Sequence, residues 1–223
     1  MEQVLLFLAE NQFAFVIGIL LIFGLIEAAY GYWQTQQKSK DDYIVEITSF
    51  LFLMAGAKVV IAILSFEASK FLFPKLENSI ASWPIWMAGL VYLLCDDFTQ
   101  YWYHRTSHEV KWLWKWHRPH HATEEMGFFA SYRENFLFYV FMPNLWWIGF
   151  FLYCGGGIGM AAAVVIKQFF VISSHSTVCW DAPMYKSKLL LPVIKVLERI
   201  FITPAFHHGH HAKSIIDNVG CPN

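Results

Sequence analysis

Five apolar stretches set the terms on which this chain can fold. They run over Phe13–Trp33, Ile44–Phe66, Trp83–Tyr103, Phe136–Tyr153 and Ile158–Ile172. The first three have the ~20 residues a helix needs to cross ~30 Å of hydrocarbon, at about 1.5 Å of rise per residue. The last two are shorter and are separated by Cys154-Gly155-Gly156-Gly157, a composition suited to a tight turn. They read as a helical hairpin that need not span fully. Packing all five into a soluble core is the competing arrangement, but soluble domains rarely hold apolar runs above about 18 residues. Composition agrees with the membrane: 57% of the residues are hydrophobic and 15% charged, where soluble chains carry about 25% charged. The expected fold is all-α, a polytopic membrane bundle of about four to five membrane segments with a cytoplasmic histidine-lined helical cap. Residues 1–223 are expected to form a single integral-membrane domain.

Charge narrows the partners and orients the chain. With a net charge of −1 and no basic block, nucleic acid has no electrostatic hold on it. Of the 16 Lys and Arg residues, Lys70 and Lys75 fall on one side of the expected bundle, and Lys58 and Lys167 fall inside apolar stretches. All the others lie in segments 34–42, 104–135 and 173–223, which alternation places together. Lys and Arg accumulate on the cytoplasmic side of membrane proteins. The N-terminus is therefore expected outside, and the histidine-rich segments in the cytoplasm, in a bacterial inner membrane or the endoplasmic reticulum. Glu2 and Glu10 make the N-terminus acidic, without the basic region of a cleavable signal. Cys95, Cys154, Cys179 and Cys221 are far apart and form no C-x-x-C pair, which argues against a disulfide framework, a zinc knuckle or an in-chain iron–sulfur cluster. Over Leu189–Phe201, apolar residues recur at helical spacing opposite Lys195, Glu198 and Arg199. That pattern predicts an amphipathic helix in the interface plane.

The ten histidines all fall after residue 103, grouped as His104-x-x-x-His108, His117-x-x-His120-His121, a lone His175, and His207-His208-x-His210-His211. Residues three and four apart share a helix face, so each cluster can present two or three imidazoles to one metal. Any single histidine is more often a hydrogen-bonded bystander than a ligand. Three spaced clusters are not explained that way, and their eight imidazoles suffice for two metal ions with positions left open. His175 follows the fifth apolar stretch, at the boundary where the other clusters gather, and is added as a ligand. His208 lies outside the pattern. Pro119 predicts that the second cluster opens a helix with His117 near its cap, and Pro204 and Gly209 predict a similar start, or a broken turn, for the third.

Imidazole suits zinc, copper, iron and nickel alike, so ligand type does not name the metal. A zinc protease would need H-E-x-x-H, and His108-Glu109 is followed by Val110, Lys111 and Trp112. The Glu plus Glu-x-x-His pattern of carboxylate di-iron bundles is also absent.

His104-Arg105-Thr106-Ser107-His108, Trp116-His117-Arg118-Pro119-His120-His121 and His207–His211 resemble the three histidine boxes of the fatty acid hydroxylase/sterol desaturase superfamily. The resemblance runs from about Tyr92 to Gly220, with residues 92–223 as the box-bearing region. It implies a non-haem di-iron centre of two Fe ions, O2 as co-substrate and a lipid substrate. It also implies an external electron donor, either cytochrome b5-like or a ferredoxin with its reductase, and a four-helix membrane core under a cytoplasmic site. The ligands it implies are His104, His108, His117, His120, His121, His207, His210 and His211, and His175 resembles an additional ligand that some members place before the third box. Members usually continue through an Asn-aromatic-Gly element to Trp-Asp and Phe-Gly-Thr. Asp217-Asn218-Val219-Gly220 resembles the start of that stretch, and the sequence stops at Asn223. The chain also carries one apolar stretch more than the four-helix core, Phe13–Trp33.

Hydroxylation of a lipid C–H bond is the expected reaction. Desaturation on the same centre is the nearest alternative, and a membrane metal-binding or metal-transport protein is an alternative of another class. A transporter would string its ligands along a transmembrane path, whereas these cluster at one face. Among supporting residues, Asp97 shares a helical stripe with Tyr101, His104 and His108 and can orient a ligand histidine. Its competing role is an ion pair, of Asp96 or Asp97 with Lys58. Glu27 in the first stretch is similarly open. Arg133 reads as an interface anchor rather than a headgroup contact.

Overall fold

A computed structural model describes residues 1–30, 39–123 and 125–212. Trp33, Lys38, Lys213, Asp217–Gly220 and Cys221 lie outside the described residues. Among the described residues the fold is all-helical, with no strand. In chain order the helices are α1 (Glu2–Glu10), α2 (Gln12–Ala29), α3 (Lys40–Phe52), α4 (Lys58–Leu72), α5 (Ile85–Glu109), α6 (Lys111–His121), α7 (Phe136–Phe141), α8 (Pro143–Tyr153), α9 (Gly157–His175), α10 (Ala182–Lys186), α11 (Leu191–Leu197) and α12 (Pro204–His211).

Local sequence accounts for several of these boundaries. Ser39 and Asp42 bond reciprocally, each side chain accepting from the other's backbone N–H at 3.2 and 3.1 Å, which closes the first turn of α3. Asn135 caps α7 by accepting from Leu137 N–H at 2.8 Å. Pro143 starts α8 and Pro204 starts α12, both in the first turn where a missing N–H costs nothing. Between α8 and α9, Gly155 takes φ +86°, a left-handed conformation that disfavours any side chain, and delivers the turn expected of the glycine run.

Three helical segments among the described residues are long and apolar enough to cross a membrane: Gln12–Ala29, Phe136–Tyr153 (α7 with α8) and Gly157–His175. Only 11% of the Gln12–Ala29 window is buried, so its apolar side chains need hydrocarbon around them. This is a membrane protein. The two stretches flanking the glycine turn reach full spanning length. Ile44–Phe66 runs through a π-helical turn at Leu53–Ala57, which joins α3 to α4 with helical backbone on both sides. From Ile85 onward, Trp83–Tyr103 lies within α5, whose 25 residues include Asp96, Asp97 and a polar C-terminal third.

The chain divides into two compact units. One comprises Met1–Phe15, Thr48–Pro119 and Glu134–Lys167; the other comprises Val16–Ile47, His120–Arg133 and the described residues from Gln168 onward. The first unit is built around Tyr92, Phe151, Met160, Ala163 and Val164, with the Tyr92 and Phe151 rings edge-to-face at 5.3 Å. Ala57, Ile61, Tyr139 and Leu145 form a second cluster, and Leu5 and Leu8 of α1 pack on Ala161 and Ala162 of α9. Trp147 Nε1–H donates to Thr99 Oγ1 at 2.9 Å. Asp96 pairs with Lys167, not with Lys58, so the ion pair expected at this level forms with a different lysine. In the second unit Phe170 stacks on Phe201 at 4.0 Å. The amphipathic segment expected over Leu189–Phe201 is helical only over Leu191–Leu197, and Leu189, Val193, Val196 and Ile200 are exposed. Cys95 and Cys154 are free thiols, whereas Cys179 is disulfide-bonded, which the scattered cysteines did not suggest.

Helices α4 and α8 touch backbone to backbone at Gly149. A Cβ there would fall onto the Ala62 carbonyl and 2.6 Å from Ser65 Cβ. Close approach through a small residue is the usual way membrane helices gain packing energy. Gly149→Ala is therefore expected to cost about 1–3 kcal/mol through overpacking and to lower the Tm in detergent. Gly18→Ala, at a position with nothing within 4 Å, is the matched control and should not lower it.

Candidate metal centre

The first unit brings three histidines together. His104 and His108 sit one turn apart on α5 with their Nε2 atoms 3.2 Å apart. His117 of α6 places its ring 4.5 Å from that of His104 and 5.0 Å from that of His108. Their ligand atoms all lie within 4.8 Å of one another. His117 is fully buried and stacks on Phe138 at 4.8 Å. Its Nδ1 is 3.1 Å from Glu134 Oε1. A proton held on Nδ1 by that contact leaves Nε2 with a lone pair, which is how an outer carboxylate fixes a ligand's tautomer. Burial pushes the Glu134 carboxyl well above the usual range. A cation held by His117 would oppose that shift by favouring the carboxylate.

The second unit holds a buried quartet: His120 at the end of α6, His175 as the last residue of α9, and His207 and His211 one turn apart on α12. None is more than 7% exposed. The Nε2 atoms face one another, at 3.3 Å between His120 and His175, 2.9 Å between His175 and His207, and 3.1 Å between His207 and His211. His175 Nδ1–H donates to the Val171 carbonyl at 2.7 Å, so its Nε2 carries a lone pair into the cluster. His121 and His210 also bring ligand atoms within 4.8 Å of each other, with their rings 4.8 Å apart.

The quartet fits a metal ion. An imidazole–metal bond of about 2.0–2.1 Å sets neighbouring nitrogens about 2.8–3.0 Å apart in an octahedral set and about 3.3–3.4 Å apart in a tetrahedral one, and the observed spacings of 2.9–3.3 Å lie between these limits. Four nitrogens at such distances, shielded from water, need a cation or shared protons between them. All-nitrogen ligation suits first-row transition metals and disfavours magnesium or calcium.

The elements that carry these ligands differ in part from the expectation. The second box does not open its helix: α6 starts six residues before His117, and Pro119 lies near its C-terminal end. Proline removes the bond back to the preceding turn, and the helix stops two residues later. The third box opens a helix as expected. Asp181, fully buried, adds a cap from elsewhere in the chain, its Oδ2 accepting from Ala205 N–H at 2.8 Å. His208 is buried but belongs to neither cluster, and its Nδ1 is 4.0 Å from Cys179 Sγ. Asp97 is exposed on α5, two turns before His104; Glu134 is the carboxylate beside His117. Arg133 is no interface anchor. It is 7% exposed and pairs with Asp42 at 2.8 Å, with Glu46 at 3.8 Å.

Sequence reasoning missed Glu134 and Asp181. Glu134 had a signal, being a carboxylate wedged between Arg133 and the start of an apolar run. Asp181 had none, since it caps a helix more than twenty residues away.

This geometry defines a helical membrane protein with metal-competent histidine clusters, of which the quartet is buried. Residues 89–220, more than half of the chain and including every histidine, match the fatty acid hydroxylase family, and the chain belongs to that family. Among curated proteins it is similar to alkylglycerol monooxygenase of Xenopus tropicalis, with 25% identity over 132 residues, 59% of this chain and 26% of the relative. The Danio rerio protein of the same name is 23% identical over 138 residues, 60% of this chain and 26% of its own length. The Homo sapiens one is 39% identical over 41 residues, 18% of this chain and 9% of its own length. The chain thus spans about a quarter of the length of the first of these relatives. No solved structure matches it.

Glu134→Ala is expected to weaken metal binding by about 10–100-fold, the usual cost of removing an outer hydrogen-bond partner, with Glu134→Gln falling between it and the unsubstituted protein. Competition titration with a chromophoric chelator measures both.

Proposed function

We propose that this chain is an O2-dependent lipid hydroxylase whose histidines His104, His108, His117, His120, His121, His175, His207, His210 and His211 hold two iron ions. The observation that carries the reading is the buried quartet, whose converging Nε2 atoms suit a cation, within the residues that match the hydroxylase family. Bound iron would supply O2 reduction and the oxidant that attacks an unactivated C–H bond. In balance, R–H, O2, two electrons and two protons give R–OH and water. The electrons come from an external carrier, cytochrome b5-like or a ferredoxin with its reductase.

The protein's own residues supply orientation and exclusion of water. Val171 and Glu134 hold protons on the outer nitrogens of His175 and His117, leaving the inner nitrogens free to ligate. Asp181 fixes the start of α12, and with it the i, i+4 pair His207 and His211. Burial of the quartet keeps bulk water from quenching the oxidant. The clustering of Lys and Arg with the boxes supports a cytoplasmic site, reached laterally by a lipid. The name of the relatives makes an alkylglycerol the first substrate to try.

Two measurements test this reading. Purified from iron-supplemented cells, the protein is expected to hold two irons per chain, and His175→Ala and His207→Ala fewer. Fewer than two in the unsubstituted protein would end the dinuclear claim. Reduced protein given ¹⁸O2 and lipid should place one ¹⁸O atom in the product. A new double bond with all the label in water would mean desaturation instead.

A further inference from the structure

We propose that Glu27, contributed by α2 and lying outside the residues that match the family, is a positioning residue for the ligand His175. Its side chain is essentially buried, with the residue 1% exposed. Its Oε1 atom accepts three hydrogen bonds: from Ser176 Oγ–H at 2.9 Å, from Thr177 N–H at 3.1 Å and from Phe128 N–H at 3.0 Å. A carboxylate in a membrane segment is expensive to keep unless something uses it. Here two of the three donors belong to the two residues that follow His175.

His175 needs that support because of where it stands. It is the last residue of α9, and helix ends fray. The Val171 carbonyl fixes the tautomer of its ring but not the backbone beneath it. Ser176 N–H still reaches the Ile172 and Ser173 carbonyls at 3.1 and 3.2 Å, while Thr177 already takes its partner from Glu27. Three hydrogen bonds converge on this one oxygen. The third also draws in Phe128, which opens the 3-10 turn Phe128–Tyr132 soon after His120 and His121. One carboxylate oxygen therefore ties together the chain segments that follow two members of the quartet, His120 and His175. Ligand geometry must hold to within roughly 0.5 Å for a site to function, and Glu27 supplies that restraint from outside the boxes.

The inference rests on the proposal that the quartet binds metal, and the test separates the two. The full chain in detergent is titrated with Co²⁺, read by its visible absorption bands and by metal content, for the unsubstituted protein and for Glu27→Ala, Glu27→Gln, Ser176→Ala and His175→Ala. The unsubstituted chain is expected to take two ions and His175→Ala to weaken one of them selectively. Glu27→Ala is expected to weaken the same ion by about 10–100-fold, as outer partners of ligands do. The other ion should keep its affinity. Glu27→Gln, whose carbonyl oxygen still accepts, should recover most of the loss, and Ser176→Ala should show a smaller loss at the same ion. Should Glu27→Ala not fold, Glu27→Gln and Ser176→Ala decide. Unchanged affinity in the Glu27 and Ser176 variants, or equal loss of both ions, overturns the positioning role. Absence of Co²⁺ uptake by the unsubstituted chain overturns the metal reading itself.

Discussion

Everything in this protein's site depends on a cost that burial imposes: a polar group removed from water must find a partner. Four imidazoles with inner nitrogens 2.9–3.3 Å apart are the sharpest expression of it. Nothing solvates them from outside, and only a positive charge or shared protons can sit between them. Other parts of the fold can be read as measures that hold these rings in place without leaving a further polar group stranded.

Those measures are mostly carboxylates, and each restrains a ligand-bearing segment. Asp181 reaches across more than twenty residues to cap α12, so that the third box starts in register. Glu134 takes the outer nitrogen of His117. Glu27 gathers the backbone leaving α9. Arg133, next to Glu134 in sequence, is held by Asp42 and Glu46. Deep in the first unit, Asp96 is neutralised by Lys167. A buried ion pair of this kind adds little net stability but is costly to break, so it fixes arrangement more than energy.

Membership of the fatty acid hydroxylase family and the buried quartet reinforce each other. The residues that match the family include every histidine, and those that lie outside it, α1 to α4, include Glu27. The first apolar stretch therefore contributes more than an extra membrane anchor.

Periodicity and residue type were enough to read the membrane character, the helical fold and the histidine pairs from sequence. An i, i+4 spacing on a helix is fixed by local geometry, so His104 with His108 and His207 with His211 could meet only as they do. Spacing also suggested His175 from its place at a helix end. The rest was not local. Pro119 fell at the end of α6 rather than its beginning because the residues before it were already helical. Whether Asp96 met Lys58 or Lys167, and whether Arg133 faced lipid or an acid pair, was set by packing between distant segments. The same holds for the choice of Glu134, Asp181 and Glu27 as partners. By itself the sequence determined which histidines this protein offers and in what pairs. Only the tertiary structure decided which carboxylates hold them, because a buried charge takes the partner that folding brings within reach, whatever its distance along the chain.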